Sequence, residues 1–184
     1  MMNYFEGQEL RPVYSRSYLA AVPDYYIAKT SRILSCRTSN PKWQMDPKDK
    51  MQQIDHKERG VKGKYKRATN VNLSVDVGFY KDHYDYTLST NGQGDVSKNH
   101  MKVPIRHHRA CKIAWEPLET NYWELDLTKE DWDSMTPKAK QVLEDSLDVD
   151  HVDTNTSNNH ITNLVWKTSL ENSSHRKKRR CEFK

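Results

Sequence analysis

Between residues 148 and 172 the chain reads DVDHVDTNTSNNHITNLVWKTSLEN, with five Asn, two His and an adjacent Asp150–His151 pair. Carboxylate and amide oxygens are the donors that hard cations take, and a neutral imidazole can accept a proton near pH 7. A lone Asp–His pair says nothing of this kind. Taken singly, His151 reads as a hydrogen-bonded surface histidine, and Asp150 and Asn172 read as turn or cap residues. The spacing is what points further: the polar residues recur as though something were held between them.

The elements that must position these residues flank them. Thr168 and Glu171 form a T-x-x-E capping box, which predicts a helix from about Ser169. Asn172 then lies in its first turn, with His175 and Arg176 on the same face. Residues 163–166, NLVW, read as a short strand with Leu164 and Trp166 on one side. Residues 147–153, LDVDHVD, read as another, with Leu147, Val149, His151 and Asp153 alternating against Asp148, Asp150 and Val152. The loop between them is rich in Asn, Ser and Thr, which order a loop by bonding the local backbone. The unit is strand, polar loop, strand, helix. Neighbours on an ideal strand point to opposite faces, so Asp150 and His151 serve one site only where the strand ends or is irregular.

Further upstream, residues 103–115 read as helical after Pro104, with Ile105, His108, Lys112 and Trp115 on one face. Thr128 with Asp131, and Thr136 with Pro137, mark two further helix starts. Residues 25–28 and 32–35 read as a hairpin around the turn KTS. Residues 39–50 carry two Pro and read as loop, and residues 52–69 as a basic loop that orders on a ligand. Residues 71–80 read as a strand, with residues 84–90 as its partner ahead of the turn signal NGQG.

The chain has 184 residues, 35% of them apolar and 30% charged, with ten Tyr and five Trp to supply packing volume. No apolar run is long enough to span a membrane and the start of the sequence lacks a signal-peptide core, so a cytoplasmic location is expected. Cys36, Cys111 and Cys181 are far apart, which argues against a disulfide framework or a Cys-based zinc site. The net charge is +5 and unevenly spread: residues 56–67 and 175–180 are basic, whereas 116–150 is acidic. Lys62, Lys64, Lys66, Arg67, Arg109, Lys177 and Lys178 are the expected phosphate contacts.

The stretch resembles the HNH endonucleases, in particular the phage and intron-associated homing enzymes. Their D-H-x-D-x-N, N-L-x-W and T-x-x-E-N elements are matched by Asp150-His151, Asp153, Asn155, Asn158-Asn159, Asn163-Leu164, Trp166, Thr168 and Glu171-Asn172. Residues 108–115, HRACKIAW, look like the HRLVA helix that precedes the motif in that group, and residues 25–35, YYIAKTSRILS, are similar to a module often found ahead of it.

The resemblance implies an α+β chain: a sheet-rich, DNA-contacting region over residues 1–100, then an HNH nuclease domain over 101–184 with an acidic insert at 118–147. It implies a ββα-metal site that hydrolyses phosphodiesters and leaves 5′-phosphate and 3′-hydroxyl ends. Asp150 and the amide oxygen of Asn172 would hold a divalent metal, with Mg²⁺ favoured over Mn²⁺; His151 would be the general base and Asn163 the brace that orients it. His175 is a candidate secondary metal or phosphate contact and Arg176 a phosphate contact. Double-stranded DNA is the expected partner, in the cytoplasm of a phage host, with monomer and homodimer both open. The rival readings are a catalytically silent DNA-binding protein on the same fold and a structured-RNA nuclease. Two departures stand out. Thr154 occupies a position where the family commonly has Gly, so Asn155 is expected to take the left-handed conformation in its stead. The connection over residues 118–147 is longer than usual, and acidic; it is expected to pack on the domain or meet another protein.

Overall fold

The computed structural model describes residues 2–15, 20–44, 70–76, 78–79 and 100–174. It opens with an antiparallel meander of five strands in chain order: β1 (Tyr4–Phe5), β2 (Gln8–Ser15), β3 (Ala20–Ala28), β4 (Ile33–Ser35) and β5 (Lys42–Trp43). Glu6 and Gly7 both have positive φ (47° and 74°), the conformation that a two-residue hairpin turn needs to match strand twist. The expected hairpin over residues 25–35 is present, with Tyr26 opposite Leu34 and Ile27 opposite Ile33. Its turn is closed by Ser31 at φ 64°. Residues 42–43, expected in a loop, pair with β4 as a short edge strand; Trp43 stacks edge-on against Phe5, and the Arg32 guanidinium lies over its ring.

A second ladder joins β6 (Asn70–Asp76) to β7 (His100–Arg106) in unbroken antiparallel register. The partner of β6 is thus β7; the expected partner, residues 84–90, lies outside the described residues, as do 52–69. This corrects the expected helix start as well. Pro104 sits inside β7 opposite Asn72, and the helix begins only at His107. Proline is tolerated in a two-stranded sheet because its missing N–H can face away from the partner strand. Ile105 therefore belongs to the strand, not to the helical face of His108, Lys112 and Trp115.

Helix α1 (His107–Trp115) lies at the centre of the molecule: eight of its nine residues are buried, and Arg109 is half-buried. Short helices follow: α2 (Leu118–Asn121), a 3₁₀ turn (Tyr122–Leu125), α3 (Lys129–Ser134) and α4 (Pro137–Ser146). Both predicted caps are formed. Thr128 and Asp131 make a reciprocal capping box, and the Thr136 hydroxyl accepts from the Ala139 N–H with Pro137 in the first turn. Leu118 and Trp132 are buried, so the acidic segment packs on the domain.

The last unit is β8 (Leu147–His151), a polar loop, a 3₁₀ turn (Ile161–Asn163), β9 (Leu164–Thr168) and a helix over residues 169–174 (α5). β8 and β9 pair antiparallel, Val149 opposite Trp166 and Asp150 opposite Val165. One apolar cluster runs through Val13, Ile27, Leu73, Ile113, Leu147 and Trp166, so strands from both sides of residue 100 share a core.

A buried ion cluster fixes β9 to this core. Lys112 is fully buried; its ammonium donates to Glu116 Oε2 (2.6 Å), Glu124 Oε1 (2.6 Å) and the Leu164 carbonyl (3.0 Å), one acceptor for each of its three donors. Glu124 Oε2 accepts the Trp166 N–H at 2.7 Å, and the Trp166 indole donates to the Glu116 carbonyl at 3.1 Å.

Candidate active site

Alternation along β8 sends Leu147 and Val149 into the core and Asp148 and Asp150 to the other face. His151 is the last residue of the strand, opposite Leu164. The irregular position that the Asp–His pair requires is therefore at hand: beyond His151 the chain turns at once, with the Thr154 N–H donating back to the His151 carbonyl at 3.0 Å. Thr154 itself takes φ 67°. The expected transfer of the left-handed conformation to Asn155 does not occur; the turn keeps its shape and Thr154 bears the strain of a β-branched residue at positive φ.

The loop is held by its own side chains. Asp153 Oδ1 accepts from the Asn155 N–H (2.8 Å) and from Asn163 Nδ2 (2.8 Å), while Oδ2 accepts from Asn158 Nδ2 (2.8 Å). These bonds, that from Asn158 foremost, hold the Asp153 carboxyl below the usual carboxylate range. Asn163 Oδ1 in turn accepts from the Asp153 N–H at 2.9 Å, and Nδ2 also donates to the Asn158 carbonyl at 2.8 Å. Asn163 thus ties both ends of the loop together. The hairpin turn of the N-terminal sheet supports it from below: the Ile161 N–H donates to the Lys29 carbonyl at 2.9 Å, and the neighbouring Ser31 carbonyl accepts from His107 Nδ1 at 3.0 Å.

His151 is 5% exposed, and its Nε2 lies 2.7 Å from Asn159 Oδ1. An amide oxygen only accepts, so with Oδ1 nearest, Nε2 carries the proton, and in the neutral imidazole Nδ1 keeps the lone pair. His108, from α1, stands on another side, its ring centroid 5.3 Å away at a 53° tilt. Burial pushes the His108 imidazole down to about 3, with the nearby guanidiniums of Arg106 and Arg109 acting in the same direction. Its Nδ1 is buried without a hydrogen-bond partner among the described residues. His151 is therefore packed against a neutral ring.

On the carboxylate face, α5 begins where the capping box predicts: the Thr168 hydroxyl and N–H both donate to Glu171 Oε2, at 2.7 and 2.9 Å. This start carries Asn172 back over β8. Its Nδ2 donates to Asp148 Oδ2 at 2.9 Å, while its Oδ1 is buried with no partner among the described residues. Asp150 Oδ2 lies 3.4 Å from the Lys167 ammonium. No three His, Cys, Asp or Glu side chains converge among the described residues, so a cation bound here would draw on the amide of Asn172. The donor set fits a hard, oxygen-preferring divalent ion: carboxylates on one strand face and a buried amide oxygen that no described residue satisfies.

Arg109, expected on nucleic acid, is half-buried and turns its guanidinium toward the interior. Its guanidinium donates to the Leu147 and Glu144 carbonyls at 2.6 and 2.8 Å and lies over the Trp166 ring, fastening α1 to the end of α4 and the start of β8. His160 caps the 3₁₀ turn, its Nδ1 paired with the Thr162 hydroxyl at 2.8 Å. Lys62, Lys64, Lys66, Arg67, His175, Arg176, Lys177 and Lys178 lie outside the described residues. The sequence places Asn159 in the matched run of Asn and His108 on a helical face, but assigns neither a role at the site. One Asn in a run of them carries no ranking, and the contact of His108 with His151 spans residues far apart in the chain.

Residues 142–174 match a family model described as HNH endonuclease. No curated protein and no solved structure matches the chain.

Proposed function

We propose, from the match of residues 142–174 to the HNH endonuclease model, that this chain is a metal-dependent DNA endonuclease of the phage homing type that hydrolyses phosphodiester bonds with water. The observation that carries the reading is the return of Asn172 over β8, beside the strand that presents Asp150 and ends on His151.

Asp150 and the Asn172 amide oxygen would hold the divalent cation, Mg²⁺ or Mn²⁺, whose Lewis acidity relieves charge on the phosphate and on the departing oxygen. The remaining work falls to the chain. His151 accepts the proton of the attacking water at Nδ1, the nitrogen that the Asn159 contact leaves as a lone pair. Asn159 holds the ring against rotation, and Asn163 holds the loop that presents Asn159. Neutral His108 fills the space beside the ring without competing for the proton. The basic residues 62–67 and 175–180, His175 and Arg176 included, would contact the DNA backbone, and products would carry 5′-phosphate and 3′-hydroxyl ends. Among the described residues no helix is long and apolar enough to cross a membrane.

Incubation of supercoiled plasmid with the full chain tests the reading. Nicked circles should form with Mg²⁺ or Mn²⁺ and not with EDTA, since one such site per chain cuts one strand; linear product would mean that two chains act across the duplex. Binding without breakage under every metal would replace the reading with that of a silent DNA-binding protein. Stronger cleavage of folded RNA in direct competition would replace the substrate.

A further inference from the structure

We propose that Asp148 is a positioning residue for the cation site: it sets the amide of Asn172 so that the oxygen, and not the nitrogen, is presented to the ion. The inference rests on the reading of Asn172 as a ligand and extends it to a residue outside the ligand set.

An asparagine amide can be turned end for end with almost no change of shape, yet only its oxygen binds a hard cation. Something must choose the end. Asp148 Oδ2 lies 2.9 Å from Asn172 Nδ2. An ionised carboxylate only accepts, so the amide end that meets it must be the NH₂ group. The reversed amide would set two acceptor oxygens against each other, forfeit a charge-assisted hydrogen bond and offer N–H groups to the cation. In the observed orientation Oδ1 faces away from Asp148, in a residue only 3% exposed, and finds no partner among the described residues.

Asp148 is well placed for this. It lies two residues before Asp150 on the same strand face, in register with Lys167, and the Ser169 hydroxyl at the start of α5 approaches its Oδ2 at 3.4 Å. The carboxylate oxygen that meets Asn172 is thus shared between two donors of the same helix. It acts on the cation through Asn172, as outer-shell carboxylates do when they orient a ligand.

Mn²⁺ affinity of the full chain without DNA, read from the electron paramagnetic resonance of free Mn²⁺, tests this apart from cleavage. Asp148→Ala should weaken Mn²⁺ binding about 10- to 100-fold, the usual loss when such a residue is removed. Asn172→Ala should weaken it as well, and the double variant should bind no more weakly than Asn172→Ala alone, because Asp148 has nothing left to orient. Should the alanine variant not fold, isosteric Asp148→Asn takes its place in both the single and the double variant; it can donate to a reversed amide and should weaken binding about tenfold. Unchanged affinity in the single variant would overturn the inference while leaving the cation site intact. Additive loss in the double variant would also overturn it, by making Asp148 a ligand in its own right. If the unaltered chain takes up no Mn²⁺, or if Asn172→Ala binds it as well as the unaltered chain, the ligand role of Asn172 falls, and this inference with it.

Discussion

His151, the last residue of β8, and Asn159, in the loop that follows it, meet through Nε2 and Oδ1 at 2.7 Å. The contact fixes which nitrogen of the imidazole bears the proton. Asn159→Ala should lower the cleavage rate at least about tenfold, because a base that rotates freely forfeits part of the 10²- to 10⁴-fold that general-base catalysis supplies. Asn159→Asp, which keeps an acceptor oxygen at the same place, should retain more activity than the alanine variant. Equal rates for both variants and the unaltered chain, in single-turnover cleavage, would show that the contact does not act on the base.

The Lys112–Glu124 pair should govern stability. Lys112→Ala leaves the Glu124 carboxylate, 6% exposed at its side chain, without its ammonium partner. Breaking a buried pair from one side costs about 3–5 kcal/mol. Urea unfolding should show that loss as a fall in midpoint, and a loss below about 1 kcal/mol, the range of an exposed pair, would contradict the burial of the pair. Replacing both partners together, Lys112→Met with Glu124→Gln, should cost less than Lys112→Ala, since the only carboxylate then left unpaired is that of Glu116, which is 39% exposed and can be hydrated.

The neutral His108 gives the fold a pH dependence with a definite sign. The unfolded chain takes up a proton at this position below about 6.5, whereas the folded chain resists until about 3. The unfolded state therefore binds more protons in that window, and stability falls as pH falls through it, by up to about 1.4 kcal/mol per pH unit from this group. His108→Phe should flatten the slope of unfolding free energy between pH 6.5 and 4. A slope unchanged by the substitution would place the acid sensitivity elsewhere.

Thr154 at φ 67° should be a site where glycine stabilises. A left-handed conformation costs an ordinary L-residue roughly 1–2 kcal/mol, and the added freedom of glycine in the unfolded chain returns part of the gain. Thr154→Gly should raise the urea midpoint by the equivalent of about 0.5–1 kcal/mol with an unchanged slope. A lower midpoint would mean that the Thr154 side chain makes a contact worth more than the strain.

What could be read from the amino acids was what local chemistry decides. The caps at Thr128, Thr136 and Thr168 are formed as their neighbours require, because a capping bond closes within three residues. The strand pair around the polar loop follows from alternation, and the HNH resemblance drew on the same residues. Contacts between residues distant in sequence are not legible in this way. The shared face of Ile105, His108, Lys112 and Trp115 predicts a helix directly after Pro104; the place of Pro104 and Ile105 in β7 depends on β6 across the ladder, and so on pairing distant in sequence. Arg109 is expected on nucleic acid, and what its own neighbourhood in sequence does not reveal is that carbonyls more than thirty residues away accept from its guanidinium. The same distance hides the contact of His108 with His151, and that of Asp148 with Asn172, from any local pattern.

Comparison of His151→Ala with the unaltered chain most directly tests whether this imidazole does the chemistry, using plasmid cleavage in Mg²⁺ and duplex-DNA affinity measured side by side. Cleavage should fall by about 10²- to 10⁴-fold while affinity stays within about twofold, because the ring accepts a proton and does not carry the grip on DNA. Cleavage that persists at the original rate, or falls only as far as binding falls, would contradict the assignment.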